Sequence, residues 1–305
     1  MNLKPTIRNK HSIRGLTLIE IMVAVTLLIV IMVGLMAMFD QTQKVFVTGL
    51  RQTDVLEGGR AAVDLLGRDF EQMEAGGRSG DTNFYAELRP WPTARPAQVL
   101  APDGVGVLKT LTLQDVYFLS HPDDWNGIGY KVLDPNAPNT DPLLMGALYR
   151  FGTNAPLLFS TNFIRTFLGI GRAVNNDSLI GSGRLSRVID GVVHFKVTAY
   201  DREGIRFAPT TNFVANLFVA EYLPPPQAPL EPVPSFYEFS GRRLPSTIEV
   251  EIGVLEPEAV IRARALPGSG AAYADNLRAF IADNSGKIHL FRQRIPIRVA
   301  ASFGN

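Results

Sequence analysis

The 305-residue sequence contains no cysteine. That excludes disulfides, thiolate metal sites and cysteine nucleophiles, while leaving the redox compartment open. Histidine is scarce: only His11, His121, His194 and His289 occur. None stands in an H-E-x-x-H or other paired spacing, so no metal site is expected from them. No G-x-S-x-G elbow and no P-loop occur. Gly169-Ile-Gly171 and Gly181-Ser-Gly183 lack the third glycine of a dinucleotide fingerprint and read as loops. An excess of charge of one sign is also missing, with 30 Lys and Arg against 29 Asp and Glu. Nucleic acid needs a basic face, so none is expected as a partner. Apolar residues make up 46% and charged residues 19%, which excludes wholesale disorder and leaves material for a core.

The charge that is present is unevenly placed. Residues 1–15 hold Lys4, Arg8, Lys10 and Arg14 and no acid. From Leu16 to Phe39 every residue is apolar, Gly or Thr, except Glu20. The run from Ile21 to Phe39 would span about 28 Å as a helix, close to the ~30 Å hydrocarbon core of a bilayer. Bases on its N-terminal flank predict a cytoplasmic N-terminus and an extracytoplasmic body. A secretory signal would have a shorter apolar region and a small-residue cleavage site, and Gly34-Leu-Met-Ala-Met-Phe39 offers none. A plain anchor leaves Glu20 unexplained, because a carboxylate at bilayer depth costs roughly 2–3 kcal/mol and normally has a partner.

Gly15-Leu16-Thr17-Leu18-Ile19-Glu20 resembles the class III signal of type IV prepilins and pseudopilins. The resemblance implies cleavage by a prepilin peptidase after Gly15 and methylation of the new N-terminal amine on Leu16. It implies that Glu20 pairs with a neighbouring subunit's amine during fibre assembly. One departure is Leu16, where that family usually has Phe or Met. Further segments resemble J-type minor pseudopilins and PilW-type minor pilins. They are Leu65-Leu66-Gly67-Arg68-Asp69-Phe70-Glu71-Gln72, Val188 to Val197 with Tyr200-Asp201-Arg202-Glu203-Gly204, and Leu244-Pro245 ahead of a strand. The implied partners are the peptidase, other pilin or pseudopilin subunits and inner-membrane lipid.

Beyond residue 40 the pattern turns amphipathic. Leu56, Gly59, Val63, Leu66, Phe70 and Met73 form one stripe, with Arg60, Asp64 and Arg68 on another face. Gly58-Gly59 is expected to kink or loosen the helix, and Gly76-Gly77 to end it. The body then reads as β-rich. Strands are expected over Leu111–Leu119, Met145–Phe151, Val192–Tyr200, Phe213–Tyr222, Ile248–Val254 and Phe291–Val299. In the third of these, Val193, Phe195, Val197 and Ala199 should share a face. Glu249 and Glu251 should face outward and pair across the sheet with the outward arginines of the last strand, Arg292, Arg294 and Arg298. Pro296 assigns the last strand to an edge. Residues 258–266 and 271–282 suit short helices, 201–204 a turn, 121–145 loops, and 223–235 a stiff proline-rich loop.

The expected fold is therefore α+β and pilin-like, a long N-terminal helix packed on a β-rich domain. Its parts are a leader (1–15), a membrane half-helix (16–39), an amphipathic half-helix (40–75) and an extracytoplasmic domain (76–305). The function implied is a minor pilin or pseudopilin subunit without catalysis or cofactor. The alternatives are a fibre-tip adhesin and a membrane-anchored extracytoplasmic enzyme. Asp134-Pro-Asn136-Ala-Pro-Asn139-Thr-Asp141 offers oxygen ligands for calcium but lacks the Gly and Glu of an EF-hand loop. Turn chemistry is the expectation there and at Asp123-Asp124.

Overall fold

A computed structural model describes residues 17–76, 82–88, 99–100, 109–121, 125–134, 143–154, 164, 167, 184–207 and 235–298. The chain divides into two compact units, Met1–Arg51 and Gln52–Asn305. Helix α1 (Leu18–Glu71) begins in the first and ends in the second.

Within the first unit, α1 carries a membrane-length apolar stretch, Leu18–Phe46, whose 29 residues are all exposed among the described residues. It outruns the expected end at Phe39, since Asp40 and Lys44 are the only charges between there and Phe46. At about 1.5 Å per residue it is some 43 Å long, more than a bilayer core requires.

The second unit is built on one antiparallel sheet. Its strands are β1 (Thr82–Leu88), β4 (Gln114–Ser120), β5 (Asn126–Leu133), β6 (Gly146–Asn154), β7 (Leu185–Tyr200), β8 (Ser235–Ser240), β9 (Thr247–Leu255) and β10 (Ile288–Pro296). Their order is β10-β9-β7-β6-β5-β4-β1-β8. Two short strands, β2 (Val99–Leu100) and β3 (Lys109–Thr110), pair separately. Helices α2 (Pro257–Arg264) and α3 (Gly270–Asp283) join β9 to β10. Pro257 suits the first turn of α2, where its missing N–H costs nothing.

Both faces of the sheet are covered. On one face Val55, Ala62, Val63, Leu66 and Phe70 of α1, with Met73 just beyond its end, pack on Phe84, Phe118, Tyr130, Phe195 and Val250. On the other, α2 and α3 bury Ala259, Ala263, Leu277 and Ile281 against Val193 and Leu255. Further along that face, Tyr85, Tyr117, Tyr149 and Phe151 gather around Phe167. The result is a three-layer α+β body.

Several expectations hold. The strands within 192–200, 248–254 and 291–296, the two short helices, and the edge position of the Pro296 strand are all present. Others need correction. Gly58-Gly59 does not break α1. Gly59 is buried because the Phe291 ring lies on it; an added Cβ would come within 2.2 Å of that ring. The helix ends at Glu71, ahead of Gly76-Gly77, because Met73 is drawn into a bridge with Ser120. Leu56 faces solvent and Val55 takes its place in the buried stripe. Val193 leaves the expected face because the ladder shifts between Val192 and His194, next to Gly191 at φ +70°. That bulge puts Val192 with Phe195 and Val197, and turns Val193 toward α2 and α3. Strand β5 occupies a segment expected as loop. Phe213–Tyr222 and the proline-rich 223–235 loop, up to its last residue, lie outside the described residues.

Candidate functional site: an exposed apolar helix and a buried polar clamp

The first turn of α1 explains how Glu20 sits in an apolar sequence. Thr17 precedes the helix, and its N–H and Oγ1–H each donate to Glu20 Oε2 at 2.9 Å. Glu20 N–H in turn approaches Thr17 Oγ1 at 3.4 Å. This reciprocal arrangement is a capping box, which satisfies N–H groups that the helix start cannot. The carboxylate therefore has a hydrogen-bond partner at its own helix start. The signal was legible as a T-x-x-E spacing at Thr17 and Glu20. Gly15, Leu16 and His11 lie outside the described residues.

Downstream of this cap, all described side chains from Leu18 to Phe46 are exposed. Thr26 and Thr42 donate their hydroxyls to the carbonyls of Met22 and Met38, so neither presents a free donor along the helix. Such a surface has no counterpart among water-facing helices, which are apolar on one side only.

In the second unit, the last turns of α1 are fixed by a polar contact that sequence reasoning missed. Asp69 is buried beside Phe70. Its Oδ2 accepts from Tyr130 Oη and from Arg150 Nε, both at 2.5 Å, and Oδ1 accepts from Arg150 at 3.2 Å. Burial, then the Asp69 charge, pushes the Tyr130 phenol far up, so it stays a donor. Burial opposes the charge on Arg150, but its hydrogen bond to Asp69 outweighs that and secures the guanidinium. The clamp joins positions 61 and 81 residues apart, which no local pattern reveals.

Across the sheet, the expected pairing of acids and arginines is present. Arg292 and Arg294 each donate to Glu249 at 2.5 Å, and Arg292 lies 3.4 Å from Glu251. The carboxylates are not outward in the sense expected: Glu249 is only 3% exposed, because the two arginines lie over it. Next to them, His194 is fully buried. Its Nδ1 accepts the Thr112 N–H at 3.0 Å and its Nε2 lies 3.2 Å from Glu251. His121 and His289 pair with Glu74 and Glu256. Among the described residues no three His, Asp or Glu side chains gather in a group that could hold a metal ion. Asp134 is described, whereas Asn136, Asn139, Asp141, Asp123 and Asp124 lie outside the described residues.

A groove of about 360 Å³ runs between α1 and β10, with Arg60 and Asp64 on one side and Leu290 and Arg292 on the other. The chain matches no protein-family model, and no curated protein matches it. The parts of the site thus divide by chemistry. One is an apolar helix surface suited to lipid or to other apolar helices, and the other a polar clamp that fixes the helix's end on the sheet.

Proposed function

We propose that this chain is a fibre subunit of the type IV pilin kind, a minor pilin or pseudopilin held in the inner membrane by α1 until it assembles. The observation that carries the reading is the 29-residue stretch of α1 with every described side chain exposed, in a helix continuous to Glu71. A surface that apolar is stable in lipid or in a bundle of like helices. The resemblance at Gly15 to Glu20 supports the same reading and adds the chemistry. A prepilin peptidase cuts between Gly15 and Leu16, and the new amine on Leu16 is methylated. The capping box gives Glu20 two tasks in sequence. It closes the helix start in the lone subunit, then meets a neighbour's amine where low polarity strengthens the attraction.

N-terminal sequencing and intact mass test this in a host with an active prepilin peptidase. The chain is expected to begin at Leu16, and a chain still beginning at Met1 overturns the proposal. Two variants separate the tasks of Glu20. Both Thr17→Ala and Glu20→Ala lose the cap, but only Glu20→Ala is expected to lose crosslinking to neighbouring subunits. Equal loss in the two would reduce Glu20 to a helix cap.

A further inference from the structure

On the sheet face turned away from α1, three ionisable residues stand in one cross-strand row. Glu87 on β1 is opposite Asp115 on β4 in the register. Lys131 on β5 lies one step past the Val116–Tyr130 pair, which brings it beside Asp115, and is itself opposite Tyr149 on β6. Lys131 Nζ is 3.3 Å from Asp115 Oδ2, and the two side chains are 1% and 5% exposed. The adjoining row is Tyr85, Tyr117, Gly129 and Phe151. Phe167 lies over Gly129, where a Cβ would come within 2.6 Å of its ring. The same ring stands 5.0 Å from Lys131 Nζ. An amine and a carboxyl group are therefore held against each other in a dry, aromatic enclosure. Lysine is almost never so buried, and a plain ion pair there has to offset a large desolvation cost.

The geometry points to an amide bond between Lys131 Nζ and Asp115 Cγ, a covalent cross-link of β4 to β5 formed after folding. The first step is transfer of a proton from the Lys131 ammonium to the Asp115 carboxylate across their 3.3 Å contact. The freed Nζ lone pair attacks Cγ and a C–N bond forms. Glu87, next in the row and half-buried, takes the second proton from Nζ and returns it to the departing hydroxyl. The C–O bond breaks and one water leaves. Ammonium plus carboxylate thus become amide plus water, with no oxidation and no outside reagent. Holding the reactants in contact supplies the effective concentration that such a condensation lacks in solution. The enclosure also keeps water from reversing it.

Tryptic mapping of the purified full-length chain, denatured before digestion, reads the bond directly. Trypsin cuts after Lys109, Lys131 and Arg150, so an unlinked chain releases 110–131 and 132–150 separately. Acylation of Lys131 blocks the middle cut. The expected product is peptide 110–150, lighter by one water, with fragmentation placing the loss between Asp115 and Lys131. Lys131→Arg is expected to restore cleavage and full mass. Glu87→Gln is expected to slow bond formation by about 100-fold or more, the usual worth of a placed acid–base group. Release of 110–131 at full mass from the wild-type chain overturns the cross-link, as does an uncut 110–150 at full mass. A Glu87→Gln chain that links at the wild-type rate removes Glu87 from the proposal.

Discussion

Helix α1 contains two stretches whose apolar side chains meet opposite circumstances. From Leu18 to Phe46 apolar side chains point in every direction and remain exposed; Phe39 is 62% accessible. From Val55 to Met73 they occupy one stripe, and Leu66, Phe70 and Met73 are fully buried. Arg60, Asp64 and Arg68 occupy the exposed face of that second stretch. Helix formation is common to both, so it does not distinguish them. What differs is the angular spread of the apolar residues. An all-round apolar surface requires an apolar solvent, whereas a stripe requires a single partner. One continuous helix therefore reads out two environments.

The largest test of this contrast is truncation of matched apolar side chains. Phe70 stacks on Phe118 at 4.6 Å between ring centroids. Phe70→Ala is expected to lower the body's stability by about 3–5 kcal/mol. Leu28→Ala, in the exposed stretch, is expected to leave the denaturation midpoint in detergent unchanged. A comparable loss from Leu28→Ala would break the comparison.

Glycines give a second matched pair. Gly59→Ala must displace the Phe291 ring toward the groove and is expected to cost about 1–2 kcal/mol, as overpacking does. At Gly34 an added Cβ meets nothing within 4 Å. Gly34→Ala is therefore expected to be neutral in the body's midpoint and to favour the helix by up to about 1 kcal/mol. Circular dichroism and thermal denaturation in micelles distinguish the two.

The smallest effect concerns acid. Burial tends to raise the Glu249 carboxyl, but hydrogen bonds from Arg292 and Arg294 hold it below its ordinary value. A carboxyl depressed in the folded state contributes stability above its unfolded pKa and loses it as pH falls through the folded value. Both arginines are more than half exposed, so the contribution is under about 1 kcal/mol. Denaturant midpoints measured from pH 7 to pH 3 should fall, and Glu249→Gln should flatten that fall slightly.

Legibility in the sequence followed the range of the interactions. The apolar helix, the alternating strands around Val250 and Phe195, and the facing of Glu249 by arginines were readable because each rests on local period or on charge complementarity. Strand β5 was not readable. Ile128, Tyr130 and Val132 do alternate with Gly127, Gly129 and Lys131, but two glycines and the Asp and Pro residues on either side favour a loop by local chemistry. The position of Val193 depended on a bulge beside Gly191, which shifts every later side chain by one step. Gly59 looked like a weak point because the approaching Phe291 is 232 positions away along the chain. Asp69 carried no local signal, because its partners sit on β5 and β6. The Thr17–Glu20 box is legible as a T-x-x-E spacing at the start of the apolar run.

The outer strand β10 also bears on how copies of this chain can meet. A bare sheet edge is a template for adding another strand, and polymers grown that way are the tangled aggregates that proteins avoid. Here Pro296 removes one donor from the edge, and the Arg292 and Arg294 head groups are committed to covering Glu249. A strand added at this edge would find its donor row interrupted at Pro296. Growth by strand addition is thereby penalised, while the apolar stretch of α1 carries no such guard.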